Sequence, residues 1–264
     1  MKTRFAVISD IHGNLEGLRA VLKSVDTENV SEILCLGDVI GYGADPEKCW
    51  EITKAKCSSI LKGNHEAILA GDIDESQCSE LGKQSAVWTR GHVTKKSRGE
   101  LVDLPLQTVQ YEASFFHSAP EGPKMWTYLN RIEQVLEAFS ECVTPVVFYG
   151  HTHRPRVTLV KENDVVVQDV LIQRTTRFVV NLKEYRCYVN PGSVGQQRDF
   201  RTDASYAVCE LDGSVANITV HRIPYKRFLA YQKIKRYGCG TAVAAYLIRE
   251  KWRRNWFEII DHRS

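Results

Sequence analysis

Five short polar motifs constrain this chain more than any other feature, because each directly follows an apolar run that reads as a β-strand. They are Asp10-Ile11-His12, Gly37-Asp38, Gly63-Asn64-His65-Glu66, His117 within Phe116-His117-Ser118, and Gly150-His151-Thr152-His153. The strand ends of an α/β fold converge on one rim, so residues far apart in sequence can line one site. Asp, Asn and His supply hard oxygen and imidazole nitrogen, the donor types suited to divalent transition metals.

The segments between the motifs predict the architecture. Phe5-Ala6-Val7-Ile8 marks a buried strand, and Leu15, Leu18, Val21 and Leu22 mark one face of the helix that follows. Strands are expected over 32–36 and 57–61, with a helix at 47–54 between them. This β-α-β-α-β order predicts a largely parallel first sheet. Asn64 and His65 are expected on an extended segment, pointing opposite ways. Residues 67–105 hold helical stretches and no strong strand, so a helical cap insertion over the site is expected there. Arg90 and His92 within it are candidate phosphate or base contacts. The second half is strand-rich, and Asp212-Gly213 marks a hairpin between apolar runs. The whole chain, 1–264, is expected to form one domain. Its fold class is α/β, a four-layer sandwich of two mixed β-sheets flanked by helices.

Charge is unevenly spread. Residues 222–264 carry 11 Lys and Arg against 3 Asp and Glu, while the rest of the chain is net acidic. A basic C-terminal segment can meet nucleic acid, and Trp252 and Trp256 within it can stack on bases. The same two residues with Ile248 and Ile259 also fit a helix face that docks on the protein, and that reading is preferred. No apolar run reaches the roughly 20 residues of a membrane helix. Met1-Lys2-Thr3-Arg4 runs straight into a strand without a signal-peptide core, so a cytoplasmic protein is expected. Eight scattered cysteines without Cys-x-x-Cys spacing read as free thiols.

Each motif has a chemical reading. Asp10 and His12, two positions apart at a strand end, can turn toward one ion, with Asn14 placed to start the next helix. Asp38 has two carboxylate oxygens and can bridge two cations, a spacing suited to generating a hydroxide nucleophile. Asn64 and His65 point opposite ways, so one can bind metal while the other faces substrate. His151 and His153 alternate about Thr152 and can reach different ions or the two sides of one centre.

Taken in order, these motifs resemble the calcineurin-like metallophosphoesterase superfamily. Asn190-Pro191-Gly192-Ser193-Val194-Gly195 resembles a further segment of its small bacterial phosphodiesterase and diadenosine-tetraphosphatase-like branch. The resemblance implies that Asp10, His12, Asp38 and His153 hold one metal, and that Asp38, Asn64, His117 and His151 hold the other. It implies two divalent ions per chain, of manganese, iron or zinc. It also implies that His65 and Asp38 are catalytic, with His65 facing the scissile ester. Gly41 and Tyr42 stand where the protein-phosphatase branch has an Asp and an Arg. Arg198 is therefore a candidate replacement phosphate clamp and Asn14 a second substrate-binding residue. The alternative for Arg198 is an ion pair with Asp199 or Asp203.

The expected function is a metal-dependent phosphoesterase acting on nucleotide-type small molecules, as phosphodiesters, phosphomonoesters or both. A symmetrical dinucleoside polyphosphate hydrolase, a protein-phosphatase-like enzyme, a nuclease or end-processing enzyme, and a metal-binding scaffold without catalysis are the alternatives. The expected partner is a small phosphoester, with nucleic acid the second candidate, and no membrane.

Overall fold

Alternation along the first strand decides the layering. In β1 (Thr3–Ile8), Phe5 and Val7 face one side and Ala6 and Ile8 the other, and all four are fully buried. Side chains on a strand point to opposite faces in turn, so a strand apolar on both faces must be covered on both. A computed structural model describes residues 2–120, 126–161, 165–199 and 201–239, with Ala244 and Leu247. The described residues form two packed six-stranded sheets with helices outside them, a four-layer α/β sandwich.

The first sheet has the order β3-β2-β1-β11-β12-β9. Its strands are β2 (Glu32–Cys35), β3 (Ser59–Ile60), β9 (Thr176–Asn181), β11 (Ala204–Asp212) and β12 (Val215–Ile223), with β1. The second sheet has the order β4-β5-β6-β10-β7-β8. It comprises β4 (Gln107–Gln110), β5 (Ala113–Phe116), β6 (Val146–Tyr149), β7 (Arg156–Lys161), β8 (Val165–Leu171) and β10 (Arg186–Asn190). The expectation of a largely parallel first sheet holds only for β1, β2 and β3. β11 joins β1 antiparallel and β12 joins β9 antiparallel, while the short turn at Asp212-Gly213 makes β11 and β12 adjacent antiparallel strands.

Three apolar layers hold the sandwich. Phe5, Val7, Leu34, Phe115, Phe148 and Val189 are among the side chains filling the space between the sheets. Ala6, Ile8, Ile33 and Cys35 face α1 (Leu15–Val25) and α2 (Pro46–Lys56). Val147, Tyr149 and Tyr188 face α6 (Ile132–Ala138) through Val135 and Phe139. All eight cysteines are free. Between β3 and β4 lie α3 (Asn64–Ala70), a single 3-10 turn (Glu75–Gln77), α4 (Glu80–His92) and α5 (Lys95–Val102).

One detail departs from the sequence reading. Asn64 and His65 begin α3 rather than lying on an extended segment. Their side chains diverge because successive helix residues are about 100° apart. The basic C-terminal segment is described as α7 (Arg227–Tyr237), which ends at Gly238 in a left-handed conformation. Ile248, Trp252, Trp256 and Ile259 lie outside the described residues.

Candidate metal centre

The parallel strands of both sheets end on the same side of the molecule, and the motifs sit at those ends. Asp10 follows β1, Asp38 follows β2 and Asn64 follows β3, while His117 follows β5 and His151 follows β6. Backbone conformation turns the side chains inward. Asp10, His12, Asp38, His151 and His153 all have φ between 48° and 65°. Non-glycine residues rarely adopt this left-handed conformation, and clusters of them mark functional sites.

A dense main-chain network holds these turns. Asp10 N–H donates to Gly37 O at 3.0 Å, and His12 N–H to Asp38 O at 2.9 Å. The Asn190–Gly195 loop braces them from the far side. Ser193 Oγ donates to Asp10 O at 2.7 Å, and Asn190 Nδ2 donates to Gly150 O at 2.9 Å. Gly150 brings the two sheets' turns together, since a Cβ there would lie 2.2 Å from Ser9 Oγ. Glu66 performs a role that its motif alone did not reveal. Its fully buried carboxylate accepts from the main-chain N–H groups of Asp38, Val39, Ile40 and Gly63 at 2.7–3.1 Å. The signal was its place in the first turn of a helix, where a carboxylate reaches back to open N–H groups.

The structure brings Asp10, His12, Asp38 and His153 into one group and Asp38, His117 and His151 into another. His12 Nε2 lies 3.1 Å from His153 Nε2, and His153 Nε2 lies 3.3 Å from Asp10 Oδ1. Asp38 Oδ2 is shared, 3.6 Å from His12 Nε2 and 3.4 Å from His117 Nε2. His117 Nε2 lies 3.2 Å from His151 Nδ1. All six side chains are at least 97% buried.

The second nitrogen of each imidazole decides what this arrangement is for. His12 Nδ1 pairs with Ile40 O at 3.2 Å, His117 Nδ1 with Leu36 O at 2.9 Å, and His151 Nε2 with Trp126 O at 2.9 Å. His153 Nδ1 pairs with Gln196 O. A carbonyl only accepts, so each of these nitrogens carries the proton. Burial depresses the pKa of His12 and His153 well below the ordinary value and that of His151 to about 3, leaving these rings neutral. The lone pairs of His12 and His153 therefore face each other across 3.1 Å with no proton between them. Histidines that donate one ring N–H to a carbonyl and converge their other nitrogens are the pattern of metal-binding histidines.

The carboxylates agree. Asp10 Oδ2 accepts from His151 N–H at 3.1 Å, but Asp10 Oδ1 is buried with no hydrogen-bond partner. Asn64 Oδ1 is likewise buried without a partner. A buried acceptor left empty costs about 1–3 kcal/mol, and a cation removes that cost. Burial raises Asp10 to about 7. Burial would also raise Asp38, but His117 and His65 overcome this and hold it well below the usual range. Burial would lower His117, yet the adjoining Asp38 carboxylate lifts it to about 9. The residues present fit divalent cations in donor type, tautomer and convergence.

Five other sequence candidates, His65, Arg198, Asn14, Arg90 and His92, have defined surroundings. His65, 4% exposed, packs edge-on against the His12 ring at 4.9 Å between centroids. Arg198 donates to Gln196 Oε1 at 2.9 and 3.1 Å and to Tyr128 Oη at 3.0 Å. Its charge lowers the pKa of His12, His65, His151 and His153, so it acts on the centre. Of its alternative partners, Asp199 pairs with Arg222. Asn14 is occupied as a helix cap. Its Oδ1 accepts from Gly17 N–H at 3.0 Å, and its Nδ2 donates to Gly195 O at 2.8 Å and Tyr225 Oη at 3.2 Å. Arg90 pairs with Glu75, and the exposed His92 stacks on Trp88 at 3.8 Å, so both serve the helical insertion itself. Tyr128 and Trp126 had no signal in the sequence. Tyr128 stacks on the His151 ring at 4.2 Å and lies under the Arg198 guanidinium.

Comparison with known proteins agrees with the geometry. Residues 3–214 match the model of the calcineurin-like phosphoesterase superfamily domain. An uncharacterized protein of Methanocaldococcus jannaschii is 34% identical over 239 residues, covering 89% of this chain and 93% of the relative. The crystal structure of a metallophosphoesterase from Sphaerobacter thermophilus superposes with a TM-score of 0.78 at 28% identity, covering 93% of this chain and 98% of that one. A hypothetical protein from Pyrococcus horikoshii OT3 shares the fold at a TM-score of 0.72 and 15% identity, covering 94% of this chain and 99% of that one. The chain belongs to the calcineurin-like phosphoesterase superfamily.

Proposed function

We propose that this protein hydrolyses phosphoesters of nucleotide-type small molecules, diesters included, using two divalent cations. The observation that carries the proposal is the facing pair of neutral imidazoles, His12 and His153, beside the unpartnered Asp10 Oδ1. Asp10, His12, Asp38 and His153 would hold one cation, and Asp38, Asn64, His117 and His151 the other. When bound, such a pair activates water near neutral pH and neutralises phosphoryl oxygens as their charge shifts.

The chain's own residues supply the rest. Arg198 would hold a phosphoryl oxygen and thereby fix the ester against the centre. His65 would place a ring N–H at the leaving oxygen. As that P–O bond breaks, its electron pair stays on the leaving oxygen, which is protonated by way of His65. Water provides the oxygen of the new P–O bond and gives up a proton, so the products are an alcohol and a phosphate. Burial, with the Arg198 and His117 charges, keeps His65 below its ordinary pKa, so the neutral ring is the donor at pH 7. A diester carries one negative charge fewer than a monoester and needs less cationic clamping. With Gly41 and Tyr42 after Asp38 in place of an acid and a base, diesters are substrates and phosphoproteins poor ones.

Among the described residues no helix is long and apolar enough to cross a membrane. We propose a cytoplasmic setting and a small-molecule partner, with nucleic acid as the competing ligand of the basic C-terminal segment. The test is hydrolysis of bis(4-nitrophenyl) phosphate and 4-nitrophenyl phosphate with added Mn²⁺, Zn²⁺ or Fe²⁺, and again in chelator. Metal-dependent turnover of the diester is expected. No turnover with any of these metals would favour the scaffold reading.

A further inference from the structure

His65 is anchored unlike every histidine of the centre. Among the described residues no hydrogen bond reaches its imidazole; only its main-chain N–H is engaged, donating to Asp38 Oδ1 at 2.9 Å. Its ring is placed by packing alone. The Tyr42 ring meets it edge to face at 4.4 Å between centroids, and the His12 ring does so at 4.9 Å. On a third side lies the bare main chain of Gly41, where a Cβ would sit 2.2 Å from His65 Nδ1. Glycine is required there both by this close approach and by its φ of 86°.

Tyr42 is itself fixed from several directions. It is a tyrosine in left-handed conformation, φ 58°, and is 8% exposed. Its main-chain N–H donates to Ser85 Oγ of α4 at 2.8 Å. Its side chain packs with Ala230 and Ile234 of α7 and with Cys239. α7 is tied down in turn by Lys233, which bridges Glu16 at 2.5 Å and Asp45 at 2.7 Å. The helical insertion and the C-terminal helix thus converge on one residue, and its ring rests on His65.

A hydrogen-bond anchor would commit one nitrogen of His65 and fix its tautomer. A ring anchor holds the plane and leaves both nitrogens available. From this geometry we infer that Tyr42 is the positioning residue for His65, and that α4 and α7 set the geometry of leaving-group departure through the Tyr42 ring. The inference rests on the role given to His65 above and goes beyond it in naming what holds that residue in place.

The experiment uses the full-length, metal-loaded protein and a series of aryl and alkyl phosphodiesters of rising leaving-group pKa. It compares Tyr42→Leu, Tyr42→Phe, His65→Ala and the double variant Tyr42→Leu/His65→Ala. Tyr42→Leu is expected to lower kcat about 10- to 100-fold on poor leaving groups but less than about threefold on nitrophenolates, because only poor leaving groups need the donor. KM and metal content should stay at wild-type values. Tyr42→Phe, which keeps the ring, should recover most of the lost turnover. The double variant should match His65→Ala within about twofold, since two residues acting through one group are not additive.

A loss equal across all leaving groups would overturn the inference. So would additive losses in the double variant, or loss of metal from both Tyr42 variants, which would make Tyr42 a support of the centre. A His65→Ala variant with no leaving-group dependence would instead remove the underlying reading, and this inference with it. The two failures are therefore distinguishable.

Discussion

The centre and its rim hold their side chains by different means. At the centre, His12, His117, His151 and His153 each commit one ring nitrogen to a main-chain carbonyl. At the rim, His65 commits neither among the described residues, and Arg198 is held by the side chains of Gln196 and Tyr128. Main-chain anchors move only if the fold moves, which suits a site that must keep a fixed donor geometry. A ring anchor leaves the nitrogens of His65 available, which suits a group that meets substrate. The contrast predicts that damage to the two regions will separate metal content from turnover.

The sharpest test of that separation is His65→Ala. It should retain its metals and lose turnover by about 10²- to 10⁴-fold on poor leaving groups. Metal analysis and steady-state kinetics on one preparation check it, and loss of metal would place His65 with the centre instead. Glu66→Ala probes the opposite side of the comparison. Four buried N–H groups would lose their acceptor, each costing about 1–3 kcal/mol, so the Asp38 turn should loosen, with stability reduced by about 3 kcal/mol or more. Denaturant unfolding and metal affinity should fall together. Unchanged values for both would show that the Asp38 turn holds without this carboxylate.

Arg198→Ala should act more mildly and only at the rim. KM for phosphoesters should rise about tenfold, in line with one lost charge-assisted hydrogen bond, with metal content intact. Inhibition by inorganic phosphate should weaken in parallel. An unchanged phosphate affinity would remove Arg198 from the substrate site.

The smallest effect concerns pH. The metal-free His117, lifted to about 9, carries a proton at neutral pH that a cation must expel. Apparent metal affinity should therefore fall as pH drops below about 9, by about tenfold per unit if one proton is displaced. Calorimetric titration in two buffers of different ionisation enthalpy measures that proton release. A pH-independent affinity would contradict the protonated His117.

The contrast also explains what could be read from the sequence. Ligand-type residues at the centre follow strands, and a strand's end and apolar alternation are local signals. Asp10, Asp38, Asn64, His117 and His151 could therefore be placed on one rim from their neighbours alone. The rim depends on contacts between distant segments. Tyr128 reaches His151 and Arg198 from a loop, and Tyr42 meets α4 and α7, which lie 43 and roughly 190 positions away. No local pattern encodes such pairings. Asn14, next to a ligand motif, reads as a binding residue, and in the structure its side chain caps α1. The parallel pattern of β1, β2 and β3 was also extended too far, because a β-α-β-α-β series carries no information about which later strand fills the open edge of β1.

We propose that the buried Asp and His cluster holds two cations which turnover requires. The most direct measurement is titration of Mn²⁺ into chelator-stripped protein, with bound metal and diester hydrolysis followed on the same samples and Asp38→Ala as the control. The account predicts two ions bound per chain, activity that appears as the second site fills, and loss of both properties in Asp38→Ala. Full activity in the stripped protein, or undiminished metal binding in Asp38→Ala, would contradict it.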